Sequence, residues 1–357
     1  MGFRVETLTE RVERNRTRLR SFLVTYVVVS SALVALAVVL GVYGTAAYIL
    51  VRGSSGYHPD YPLLRALGWL TRSLPLIFSV TWAASAPGFA LWCRRTLRRP
   101  ESRLLERIRA MPVPTGKCRR AKSALHDVAI AAGISVPRLA YVKDECSNAF
   151  VIAHRTGTAW IGVTSGLLDL LTLDELRCVF AHLVARIRDG SAVTATLLAE
   201  LFDEASTAGK VGDRLLEENA IAEEDDVVRR AFKVTVSPAW AFYGGVRLCL
   251  AITAVLVLRG YARSQAVSAE CADSEGMLLA KDARGMMGAL EKVLPADNRL
   301  GGVAIDRMRE DIFGALFFAW PVFSFDDDPE LVRIRRLREV LGAEGVWHPA
   351  MDSVRRQ

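Results

Sequence analysis

His182 and Arg186 stand one helical turn apart in the stretch Thr172-Leu-Asp-Glu-Leu-Arg-Cys-Val-Phe-Ala-His-Leu-Val-Ala-Arg-Ile-Arg-Asp189, and that spacing has a chemistry. Two imidazoles at i and i+4 on one helix face can share a zinc ion, and a glutamate directly after the first can serve as general base toward a metal-bound water. Here the five residues read His182-Leu183-Val184-Ala185-Arg186. The first ligand is present, the base position is Leu183, and the second ligand position is Arg186. One imidazole alone does not hold zinc, because such sites draw on three or four protein ligands.

The spacing counts only if the stretch is helical. Thr172 and Glu175 stand three apart just before an apolar run, which is the pattern of a capping box. Leu176, Val179, Phe180 and Leu183 then recur at helical spacing, so a helix over 172–189 is predicted, with His182 and Arg186 facing the same way. Upstream, Ala121 to Ala132 reads as a helix closed by Gly133, and Pro137 to Val142 as a strand. A hairpin follows: Asn148 to Ala153, a turn at His154-Arg-Thr-Gly157, and Thr158 to Val163.

Around this frame the chain resembles the HtpX-like membrane zinc metallopeptidases, the family that includes the CAAX prenyl proteases. The residues that carry the resemblance are Ser147-Asn148-Ala149-Phe150, Trp160-Ile161-Gly162-Val163-Thr164-Ser165-Gly166-Leu167-Leu168, Asp174 to His182, and Ile187-Arg188-Asp189. It extends from about Ala121 to about Leu341. Ala289-Leu290-Glu291-Lys292-Val293 resembles the helix that follows the family's site. Asp328-Pro329 through Arg333-Ile334 resembles its closing pattern, with Asp328 where the family has His.

The resemblance implies an α+β fold, a zincin-like domain that is mostly helical with a small β-sheet, set on transmembrane helices. It implies that the strand at Asn148, Ala149 and Phe150 lies along a substrate cleft, where a free edge can pair with a peptide. It also implies a third zinc ligand on a later helix, and that position falls on Ala269, with Asp273 four residues on as partner of a ligating histidine. Glu270 is one residue late, a rotation of about 100° on a helix, which points it away from the metal. Of three ligands and a base, His182 alone is kept as a remnant. An arginine-carboxylate bridge replacing the metal as the tie between the two helices is therefore expected, from Arg186 to Asp273 or Glu270. A relocated metal site built from Cys178, His182, Cys271 and Asp273 is the less favoured reading, because a buried cysteine ordinarily behaves as a small hydrophobe.

The hydrophobic share of 51% and the positive mean hydropathy point to membrane segments. Ser21 to Val51 is an uncharged run of 31 residues and Leu74 to Cys93 one of 20, each long enough to cross about 30 Å of hydrocarbon. The first is too long for a signal-peptide core and reads as a retained anchor. Six arginines precede it between Arg4 and Arg20, and seven follow the second run between Arg94 and Arg109, against three basic residues from Arg52 to Ser73. The positive-inside rule then places both flanks, and with them the main domain, in the cytosol. The expectation is an integral protein of the cell membrane.

The net charge of +7 follows from these flanks. No basic patch interleaved with stacking aromatics is present, so a nucleic-acid partner is not expected. The six cysteines (Cys93, Cys118, Cys146, Cys178, Cys249, Cys271) have no paired spacing, which suits thiols in a reducing compartment. The organisation expected is a basic lead-in (1–20), spans at 21–51 and 74–93, and a basic helix and linker (94–120) with the Pro/Gly stretch Met111 to Gly116. The metallopeptidase-like domain (121–341) follows and includes a membrane hairpin (192–202 and 234–258) around an acidic insertion (203–233). A tail (342–357) ends the chain. Asp203 to Lys233 carries nine acidic and five basic residues and reads as a solvated face.

Three functions remain open on the sequence. The first is a catalytically inactive family member that needs no cofactor and binds peptide segments or membrane proteins in the old cleft, in contact with the lipid bilayer. The second is an active zinc metalloendopeptidase acting on membrane or misfolded proteins through substitute ligands. The third is a purely structural membrane subunit, favoured if the cleft is filled by the chain's own side chains. Whether the chain is an enzyme stays undecided at this point.

Overall fold

The computed structural model describes residues 8–53, 61–96, 102–113, 118–155, 158–201, 203, 271–293, 316–318, 333–335 and 337–338. The chain divides into two compact units. One comprises 1–17, 99–200 and 259–357, the other 18–98 and 201–258. The expected insertion from 204 onward, the apolar run 234–258, the tail 342–357, and both Ala269 and Glu270 lie outside the described residues.

The second unit holds α1 (Leu8–Gly53) from residue 18 on, and α2 (Tyr61–Thr96), both long helices. The stretches Val12–Val39 and Thr71–Arg95 are long and apolar enough to cross a membrane. From Leu8 on, the basic lead-in and the first apolar run form one continuous helix. Polar contacts tie α1 to α2: Trp82 Nε1 donates to Ser31 Oγ at 3.0 Å, and Ser85 Oγ donates to the Ser31 carbonyl at 3.3 Å. Between apolar helices such bonds add a small, position-specific attraction.

The first unit is the α+β domain. After α3 (Ser102–Arg107) come β1 (Met111–Pro112), α4 (Arg119–Ala132), β2 (Arg138–Val142), β3 (Ala149–Arg155) and β4 (Thr158–Thr164). Then come α5 (Ser165–Leu170), α6 (Leu173–Arg188) and a shorter apolar helix α7 (Ser191–Leu201). Residues 271–280 form α8, and α9 is Ala283–Val293. The sheet is mixed, in the order β1-β2-β4-β3, with β2 parallel to β4 and the other pairs antiparallel. Met111 and Pro112, read from sequence as linker, pair with Tyr141 and Ala140 instead. A proline fits there because β1 is an edge strand, where a missing N–H breaks no ladder.

Local chemistry explains α6. Thr172 Oγ1 accepts from the Glu175 amide at 3.4 Å while Glu175 Oε2 accepts from the Thr172 amide at 2.9 Å, the reciprocal capping box read from the sequence. Burial around α6 is nearly complete: every residue from Glu175 to Ile187 except Arg177 is buried. Even its polar members Glu175, His182 and Arg186 are buried, so α6 sits at the centre of the core rather than on its surface. Val151, Ile161, Val163, Leu125, Val128 and Leu290 belong to the same buried cluster as Phe180 and Leu183.

Two further contacts close β3 at its far end. The Ala153 amide donates to Thr196 Oγ1 at 3.0 Å, and His154 Nε2 lies 2.9 Å from Glu200 Oε1. Glu200, which interrupts the apolar run of α7 in the sequence, thus meets the half-buried His154.

Candidate functional site

The site is assembled where α6 meets α8. Gly276 makes this approach possible: a Cβ there would lie 2.9 Å from the His182 amide nitrogen, so a side chain would wedge the two helices apart. Asp273 lies one turn before Gly276 and, with the backbones this close, its Oδ1 sits 2.7 Å from His182 Nδ1. Both side chains are buried, at 1% and 2% exposure. The family-implied pairing of a histidine with this carboxylate is therefore present in the geometry.

Asp273 has a second partner that sequence reasoning missed. Arg333 Nε donates to Oδ2 and Nη2 to Oδ1, both at 2.8 Å. Its Nη1 donates to the Phe318 carbonyl, also at 2.8 Å, and its guanidinium lies 5.2 Å from the centre of the Phe318 ring. Arginine suits this place because its planar fork presents several donors at fixed angles. The guanidinium that takes Asp273 is thus that of Arg333. The available signal was the Arg333-Ile334 match in the closing pattern.

Charge follows from this geometry. Burial disfavours ionised Asp273, but Arg333 and His182 outweigh it and hold the carboxyl far below its usual range. Burial pushes His182 down to about 4; Asp273 opposes the shift, while Arg333 and Arg186 reinforce it. Near neutral pH the pair is a neutral imidazole whose Nδ1–H donates to a carboxylate. That arrangement is the one used to orient a metal-ligating histidine.

Among the described residues, the remaining positions do not complete a zinc site. Leu183 is fully buried in the hydrophobic cluster. Arg186 is buried, and its Nη1 donates to the Phe317 carbonyl at a long 3.4 Å. Cys178 is buried with its thiol directed at the Asp282 carbonyl, 3.3 Å away, and desolvation raises its pKa to about 12. Among the described residues no three His, Cys, Asp or Glu side chains converge as a metal would need. A single imidazole with two guanidinium groups nearby, and no second or third ligand among the described residues, does not fit a divalent cation.

The cleft strand differs from the free edge expected. Asn148 precedes β3, is buried, accepts from the Ala149 amide through its own Oδ1 at 2.9 Å, and donates its amide to Thr164 Oγ1 at 3.0 Å. The Phe150 ring covers Gly162 on β4, where an added Cβ would fall 1.9 Å from the ring. Along the outer edge of β3, Phe317 forms an antiparallel bridge with Phe150, and the Phe318 amide donates to the Ala149 carbonyl at 2.7 Å. The ring of Phe318 meets His182 edge-on, with centroids 5.0 Å apart at 89°. The chain's own residues thus lie on the edge.

A small mixed sheet backed by a capped helix whose histidine pairs with a carboxylate on a second helix defines a zincin-like α+β domain. Residues 117–341 match Peptidase family M48, and the chain belongs to that family. It is similar to a protein named Protease HtpX homolog from Streptococcus agalactiae serotype III (strain NEM316), 27% identical over 225 residues that cover 60% of this chain and 71% of the relative. A namesake from Persephonella marina (strain DSM 14350 / EX-H1) is 28% identical over 126 residues, 35% of this chain and 42% of the relative. Another from Pyrococcus abyssi (strain GE5 / Orsay) is 41% identical over 70 residues, 20% of this chain and 24% of the relative. No solved structure matches the chain significantly.

Proposed function

We propose that this chain is a membrane-anchored M48 family member that has given up peptide hydrolysis and works by binding polypeptide segments or membrane proteins in the former cleft. The observation that carries this reading is Arg186. Where the frame calls for a second imidazole, a buried guanidinium reaches toward a backbone carbonyl, that of Phe317. A guanidinium has no lone pair to give a metal and five N–H groups to give a peptide. Leu183 likewise has no group that could take a proton from water. The arginine-rich flanks of the two apolar helices support a cytosolic placement of the domain.

Metal analysis of the purified chain tests the loss of the metal. The expected zinc content is far below one per chain, and no chelator-sensitive cleavage of an unfolded polypeptide is expected. The triple variant Leu183→Glu, Arg186→His, Ala269→Glu is expected to gain zinc. Stoichiometric zinc in the unmodified chain, together with chelator-sensitive cleavage, would reinstate the alternative of an active endopeptidase.

A second reading has an observation of its own. Phe317 and Phe318 lie on the β3 edge, which favours a structural membrane subunit whose cleft is permanently filled. A cleft that takes no peptide under any condition would establish it.

A further inference from the structure

The contacts made by residues 316–318 have the form of a bound peptide. Leu316, Phe317 and Phe318 are all buried. The antiparallel bridge between Phe150 and Phe317 sets the register, so Phe318 stands opposite Ala149 and Leu316 opposite Val151. The Phe318 amide is taken by the Ala149 carbonyl, the Phe317 carbonyl by Arg186, and the Phe318 carbonyl by Arg333. Three successive backbone polar groups are thereby satisfied by strand edge and guanidinium, as in strand-addition complexes, where main-chain bonds give affinity and pockets for side chains give selectivity.

The pockets are aromatic. Phe317 packs on Phe150 with ring centroids 5.5 Å apart at 58°. Phe318 has the His182 ring edge-on at one side and the Arg333 guanidinium 5.2 Å from its centre. Aromatic pairs of this kind add attraction beyond the area they bury, and a cation over a ring adds more. Further along, Thr196 already holds the Ala153 amide, so the edge open to a ligand is short and centred on Ala149 and Phe150.

We infer that Leu316–Phe318 is a built-in ligand of the β3 edge, and that the same edge takes in its place an extended segment of another polypeptide carrying two adjacent aromatic side chains. This inference rests on the peptide-binding reading above and adds to it the ligand class and its control. A segment of the same chain competes at millimolar effective concentration, so an incoming peptide binds weakly until the internal segment leaves. The two arginines that grip its carbonyls are the contacts a competitor inherits.

The test uses the full chain in detergent micelles and a fluorescent, lysine-flanked peptide copying residues 314–319, Gly-Ala-Leu-Phe-Phe-Ala. The variant Phe317→Ser, Phe318→Ser removes the two rings that anchor the internal segment and leaves Ala149, Phe150, Arg186 and Arg333 intact. It is expected to bind the peptide at least about tenfold more tightly than the unmodified chain. It is also expected to discriminate against the same peptide with both phenylalanines changed to serine. Equal affinity in variant and unmodified chain overturns the inference while leaving peptide binding itself standing; absence of binding in both overturns the two together. Hydrogen exchange on the unmodified chain guards against a variant that misfolds. Saturating peptide should speed exchange at the Phe318 amide and leave β3 protected, and an unchanged Phe318 amide overturns the displacement.

Discussion

Arg333 holds both carboxylate oxygens of Asp273, through Nε and Nη2 at 2.8 Å each, while the same carboxylate meets His182 Nδ1 at 2.7 Å. The carboxylate that a histidine would use to brace itself for a metal is here shared with a guanidinium. An anion buried to 2% exposure is stable only while these partners remain.

Replacing Arg333 by methionine leaves that anion with a neutral imidazole alone and is expected to cost about 3 kcal/mol. Asp273→Asn in the same background should recover part of the loss, since the charge that needed a partner is gone. Chemical denaturation of the single and double variants reads the coupling; strictly additive effects would mean the pair is not energetically linked.

The pH dependence of α6 follows from Glu175. Burial would raise its pKa, but Lys292 at 2.8 Å and the amide and hydroxyl of Thr172 outweigh burial and hold it below the ordinary value. A carboxyl with a depressed folded pKa contributes stability that is complete above its unfolded value, about 4.3, and is lost as pH falls through the folded one. The destabilisation caused by Glu175→Gln should therefore be largest near neutrality and shrink below about pH 4. A deficit independent of pH across that range would remove the carboxylate from the account.

Gly276→Ala tests the helix approach. Its Cβ would meet the His182 backbone at 2.9 Å, and overpacking of this kind costs about 1–3 kcal/mol. Since α8 has to move, the Asp273–His182 bond should lengthen, visible as a shift in the His182 ring resonances. Wild-type stability with unshifted resonances would show the helices have slack.

Thr196→Val removes the hydroxyl that takes the Ala153 amide at 3.0 Å and leaves a buried N–H unpaired, for a loss of about 1–3 kcal/mol. Faster hydrogen exchange confined to the end of β3 is the expected signature. Global loosening without that local change would place the contribution of Thr196 elsewhere.

The elements themselves were legible in the sequence wherever the signal is local. The Thr172–Glu175 box, the helical spacing of Leu176 to Leu183, Gly133 after Ala132 and the hairpin between Asn148 and Val163 are chemistry between near neighbours, and the structure places an element at each. The same stretch specified that Leu183 and Arg186 stand where a base and a ligand would be. It could not specify what meets them. Arg333 and Phe318 reach His182 and Asp273 from positions many residues away, and a side chain's choice among distant partners depends on how helices and strand edges pack, which no spacing encodes. Met111 and Pro112 became a strand for the same reason: a two-residue edge exists only because β2 is there to pair with it. Sequence alone determined the frame and the identity of the altered side chains. Tertiary structure decided that a guanidinium braces the carboxylate and that the strand edge is covered from within, because both depend on surfaces that exist only once the chain has closed on itself.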